Sequence, residues 1–130
     1  MGSFSVWHWI VLFVIVALLA LPFVATATEN TGKVVSRHRF VVWFLSTFLG
    51  IPILSSATAA VMPMAALLWW PIGIVVVYLY QRTVVRRCRD AGHTKALAYF
   101  GAIPLLNVAV GIYLLFKSSA SPVAPAPVLA

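Results

Sequence analysis

The chain has 130 residues, of which 63% are hydrophobic and 8% charged, with a formal net charge of +7 and a mean hydropathy of +1.05. Soluble domains hold about 45–50% apolar and about 25% charged residues, so a water-soluble fold of this size could not hide so much apolar surface. Lipid is the solvent that suits the composition, and the length allows a single domain. The positive charge does not point to nucleic acid. The basic residues fall in short bursts between apolar runs, and the aromatics lie inside those runs, not among the arginines.

The first apolar run is Val6 to Ala27, interrupted late by Pro22. About 20 residues at 1.5 Å each cross a hydrocarbon core of about 30 Å, so this run suffices for one span. Trp7, His8 and Trp9 at its start suit the headgroup level. A polar stretch from Thr28 to Arg39 carries Glu29, Lys33, Arg37, His38 and Arg39. The 42 residues from Phe40 to Gln81 then contain no Asp, Glu, Lys or Arg. As one helix they would reach about 63 Å, twice the hydrocarbon thickness, so the run must fold back. The small and hydroxyl residues of Ser55 to Pro63 mark the expected turn, with spans near 40–60 and 64–80 on either side. Pro52 and Pro71 fall inside them, where neighbouring helices and hydroxyls re-satisfy the freed carbonyls. A second basic stretch follows, Gln81 to Lys95, and then a fourth expected span near 96–116 containing Gly101, Pro104, Asn107 and Gly111. Small residues there let helices approach closely. Ser118 to Ala130 is a Pro/Ala/Ser tail without periodicity, expected to be disordered.

Counting charge by loop sets the expected topology. The first basic loop is net +2 and the second net +4, with Lys117 the remaining base. Four spans place both loops on one side and both chain ends on the other, so that eight of the nine basic residues face the cytosol. The expectation is an all-α, four-helix transmembrane bundle, N-out and C-out. A cleaved signal peptide ending at Ala25-Thr26-Ala27 would invert that bias, and the residues before the run include no Lys or Arg. Met1-Gly2 does not open a myristoylation motif, because position six is Val6.

Two stretches carry a family resemblance. Ser36-Arg37-His38-Arg39-Phe40 with Trp43 and Phe44 is a short basic stretch ahead of an aromatic-rich helix. Arg86-Arg87-Cys88-Arg89-Asp90-Ala91-Gly92-His93-Thr94, followed by Ile103-Pro104-Leu105-Leu106-Asn107, is similar to an Arg-Arg-Leu-His-Asp-x-Gly-x-Ser loop leading into an Ile-Pro span. Together, over Val35 to Lys117, they resemble the bacterial inner-membrane family known as domain of unknown function 805, which includes the YhaH-like proteins. Cys88 and Arg89 depart from its leucine and histidine, and Lys95-Ala96 from its glycine-tryptophan. The resemblance implies a small multi-spanning protein of the bacterial cytoplasmic membrane, and no activity comes with it. The opening residues Gly2 to Ile10 also resemble the start of TatA-type translocase subunits, which implies an N-terminus outside the cytoplasm. The basic amphipathic helix that does the work of those subunits has no counterpart here.

Chemistry-bearing residues are few. Cys88 is the sole cysteine, which excludes an intrachain disulfide. His8, His38 and His93 stand apart, without cysteine or carboxylate at ligand spacing, so no metal or cofactor is expected. Asp90 lies among Arg86, Arg87, Arg89 and His93, and i, i+4 spacing pairs it with Arg86. The structural reading is an ion pair stiffening the loop, with Gly92 closing the helix, and the functional one a cation or proton site. Arg82, Arg86, Arg87 and Arg89 are expected to contact anionic lipid headgroups at the cytoplasmic face. Asn107, mid-span, is expected to hydrogen-bond between helices, the alternative being a substrate path. No Ser, His and acid spacing sets up a nucleophile with its base. The expectation is a non-enzymatic accessory or interaction subunit whose partners are lipids and a membrane protein or further copies of itself. The alternative is a minimal homo-oligomeric transporter or channel.

Overall fold

The computed structural model describes residues 5–120, so positions 121–130 of the expected disordered tail lie outside the described residues. Within that range the chain is helical, with no strand. Three helices are long and apolar enough to cross a membrane: α1 (Val6–Thr28, 23 residues), α2 (Arg37–Val61, 25 residues) and α3 (Pro63–Asp90, 28 residues). Two shorter helices follow, α4 (Lys95–Gly101) and α5 (Pro104–Phe116).

Local chemistry accounts for the irregularities. In α1 the Pro22 carbonyl accepts from Thr26 Oγ1 at 2.9 Å, and the Val24 carbonyl from Thr28 Oγ1 at 2.8 Å. In α2 a π-helical turn, Ser46–Gly50, widens the helix just ahead of Pro52. Proline removes the N–H that would close a normal turn and its ring collides with the carbonyl four residues back, and the wider turn relieves both. The helix then runs through the Ser55–Ala60 stretch where the sequence suggests a turn. Ser55 Oγ and Thr58 Oγ1 donate to the carbonyls of Pro52 and Leu54, and the reversal falls at Met62. Hydroxyls that read as turn signals in water serve here to satisfy the helix's own carbonyls. α3 opens with a 3-10 stretch, Pro63–Leu68, and continues as α-helix to Asp90.

The run at 96–116, expected as a fourth span, is two helices. α4 has 7 residues and α5 has 13, with the break at Ala102-Ile103 and Pro104 heading the second. At 1.5 Å per residue α5 reaches about 20 Å, short of a hydrocarbon core of about 30 Å. The residue ahead of a proline is pushed out of the helical region, and Ile103 at ψ 123° follows that rule. The hairpin turns the chain back. After α5, Ala120 N donates to Asp90 O at 2.7 Å, and Ser119 Oγ donates to Asp90 Oδ2 at 2.6 Å. Residues 117–120 therefore lie at the end of α3, with the basic stretches, and not at the opposite end as a single crossing would put them.

The buried core gathers at this basic end: Phe40 of α2, Tyr80, Val84, Val85 and Cys88 of α3, Ala98 of α4, and Val110 and Leu114 of α5. Phe40, Phe44 and Phe48 recur every four residues and present one aromatic face of α2 to Tyr80, with Phe48 edge-on to it at 5.5 Å between ring centres. At the other end the molecule has little interior. Val6 through Val16 of α1 are exposed on every side, as are Val61, Met64, Leu67 and Trp70 at the α2–α3 reversal.

Candidate functional site

The polar residues of the basic end converge on two centres. The first is Glu29, one residue past α1 and fully buried. Arg82, Arg86 and Arg89 of α3, four and three residues apart, form one stripe that faces it. Arg82 Nε lies 2.5 Å and Arg86 Nη2 3.0 Å from Glu29 Oε2, while Arg89 Nη1 is 3.7 Å from Oε1. Arg89 Nη2 also donates to the Glu29 carbonyl at 2.6 Å, and Thr31 donates to Oε1 through both its backbone N–H and its hydroxyl. Burial by itself would raise the Glu29 pKa. The hydrogen bonds from Arg86, Thr31 and Arg82, with the charge of Arg86, overcome it and hold the carboxyl down at about 2. One carboxylate thus fastens the end of α1 to the last two turns of α3.

The second centre is Arg87, on the opposite face of α3 and fully buried. Its Nε donates to Leu114 O at 3.2 Å, one Nη group donates to Lys117 O, and the other pairs with Asp90 and reaches Ser119 Oγ at 3.1 Å. Leu114 O is one of the terminal carbonyls of α5 that lack an intrahelical partner, so Arg87 acts as a side-chain cap from a neighbouring helix. The ion-pair partner of Asp90 is Arg87 at i, i+3, where spacing alone suggests Arg86; Arg86 turns to Glu29 instead. Gly92, at φ 76°, closes α3, with His93 N bonded to Cys88 O at 2.8 Å.

Beneath both centres lies a neutral polar link. Buried Gln81 donates through Nε2 to Thr26 Oγ1 at 2.9 Å and to Ala98 O at 2.8 Å, tying α3 to α1 and α4. Asn107 Nδ2 donates to Gly101 O and lies 3.4 Å from Gln81 Oε1, so its amide bridges α5 to α4 and α3. Glu29 and Gln81 are residues that sequence reasoning passed over. Glu29 carried a signal, being one of only two acids in a chain with nine bases. Lys95, in the same basic stretch, donates to Asn30 Oδ1 at 2.5 Å.

Among the described residues, no three of His, Cys, Asp and Glu come together to hold a metal ion. Glu29 is held by arginines and the Thr31 hydroxyl, and Asp90 Oδ2 by Arg87 and the Ser119 hydroxyl. Comparison with protein-family models, with curated proteins and with solved structures finds no match for this chain. The resemblance to the family of domain of unknown function 805 therefore rests on its own residues, chiefly Arg86, Arg87, Asp90, Gly92 and Pro104.

Proposed function

We propose that this chain is a small, non-enzymatic protein of the bacterial cytoplasmic membrane, acting as an accessory or interaction subunit through helix packing and contact with anionic lipids. In this reading α1, α2 and α3 cross the bilayer, and the hairpin of α4 and α5 sits at the cytoplasmic side with the C-terminal segment. All nine Lys and Arg residues then share one side, one more than four spans allow. The observation that carries the reading is the division of the molecule. Glu29, Gln81, Arg82, Arg86 and Arg87 are tied into polar contacts at one end, while the apolar side chains of the outer parts of the three long helices are largely exposed. Such faces are at home in lipid or against another membrane helix.

The test is isolation of the tagged full chain from membranes in a mild detergent, with mass spectrometry of what comes with it. A defined partner in fixed ratio is the expected result. A homo-oligomer with no partner would favour the transporter reading, and recovery from the soluble fraction would sink the membrane placement altogether.

A further inference from the structure

Between α2 and α3, at the level where the apolar spans give way to the basic end, lies a cavity of about 220 Å³. Three arginines, Arg39, Arg82 and Arg86, wall it together with Val35, Trp43 and Leu79. We propose that this cavity is a binding site for the phosphate headgroup of an anionic phospholipid, whose acyl chains lie along the exposed faces of α2 and α3. The inference rests on the membrane placement proposed above and assigns a defined site to the lipid contact.

Three observations support it. Charge is in surplus: three arginines share the single carboxylate of Glu29, Asp90 is taken by Arg87, and Arg39 forms no ion pair among the described residues. Donors are also in surplus. Among the described residues Arg82 donates through Nε to Glu29 and lies over the Tyr78 ring, 5.7 Å from its centre, while Arg86 donates to Glu29 through Nη2 and its Nε is buried without a partner. A guanidinium offers five N–H groups in a planar fork that fits phosphate oxygens, so the two side chains that grip Glu29 still hold unused donors beside the cavity. Finally, the other half of the wall is apolar and continues into lipid-facing surface, through Trp43, Val42 and Leu79, all exposed. Tryptophan favours the headgroup level. Enclosed sites for whole small molecules span about 300–1,000 Å³, so a smaller cavity opening beside an apolar face suits a headgroup with its chains left outside.

The experiment uses the purified full chain, delipidated in detergent, titrated with dioleoylphosphatidylglycerol, with dioleoylphosphatidylcholine or with soluble glycerol phosphate. Bound lipid is counted by native mass spectrometry. Arg39→Gln is the test variant, because Arg39 is exposed and makes no hydrogen bond or ion pair among the described residues; Arg37→Gln removes the same charge outside the cavity. The expected result is one saturable phosphatidylglycerol per chain, weakened about fivefold by R39Q and little by R37Q. Equal weakening by both variants would reduce the effect to general surface charge and overturn the site. So would equal affinity for phosphatidylcholine, or displacement of the lipid by glycerol phosphate at matching concentration, which would assign the cavity to a soluble phosphate ester. Each of these outcomes leaves the membrane placement standing, which fails only if the chain does not partition into membranes.

Discussion

Glu29 shows how much one residue can organise when opposite charges are scarce. Its carboxylate is fully buried, while the Arg82, Arg86 and Arg89 side chains that reach it remain 27, 25 and 22% exposed. Removing one partner of a buried pair leaves the others uncompensated. Glu29→Gln leaves three arginines facing a neutral amide and is expected to cost about 3 kcal/mol, near the low end for such losses because the arginines reach water. Unfolding in detergent, followed by tryptophan fluorescence, reads the difference. The pH dependence has a definite sign. The folded-state pKa of about 2 lies below the ordinary 4.5, so this stabilisation is complete above about pH 4.5 and is lost as the pH falls toward 2. The gap between wild type and E29Q should close over that window. A gap that stays constant to pH 2 would mean that the carboxylate charge is not what holds α1 to α3.

Between helices, close approach is set by glycine. A Cβ on Gly111 of α5 would lie 2.5 Å from Phe44 Cε2 and 2.9 Å from the Tyr80 hydroxyl, whereas one on Gly73 of α3 would meet nothing within 4 Å. Gly111→Ala is therefore expected to force the α2 aromatics away from α5 and cost about 1–3 kcal/mol. Gly73→Ala, relieved of glycine's backbone entropy, should leave stability unchanged or raise it by up to about 1 kcal/mol. Thermal midpoints of the two variants, measured in the same detergent, check the contrast; equal effects would contradict the packing of α5 on α2. These elements differ in how far their sequence announces them. The three long helices are legible, because each is an apolar run of bilayer length, and the reversal near Met62-Pro63 follows from the impossibility of a 42-residue straight helix. The α4–α5 hairpin is not. Hydropathy counts apolar residues without regard to direction, so a run that goes out and comes back looks like one that crosses. Only Gly101-Ala102-Ile103-Pro104 marks the break, and Pro22, Pro52 and Pro71 elsewhere in the chain sit within continuous helices. The same limit hid the roles of the charges. Spacing along one helix suggests that Arg86 pairs with Asp90, but the residue that claims Arg86 is 57 positions away, just past the end of α1.

At the scale of the whole molecule, the hairpin changes what the charges imply. With α5 crossing, Lys117 would stand alone on the far side; with α4 and α5 folded back, it joins the other eight bases, and Arg87 holds its carbonyl. Positive charge held on one side is what fixes orientation during insertion. In the folded-back arrangement the Asn107 amide donates to Gly101 O within the hairpin and lies 3.4 Å from Gln81 Oε1 of α3. The two arrangements differ in one measurable property, the side on which the chain emerges after residue 120. A reporter that fluoresces only in the cytosol, fused after Ala130, should be bright, and one that is active only outside the cytoplasm should be silent there. The same pair placed in the loop near Lys33 should give the same answers, and placed ahead of Val6 the opposite ones. If the C-terminal fusion sides with the N-terminal one, α4 and α5 together cross the bilayer in cells. The contacts of Arg87 with Leu114, Lys117 and Ser119 would then have to break on insertion, and Arg87→Lys should be indistinguishable from wild type in thermal stability.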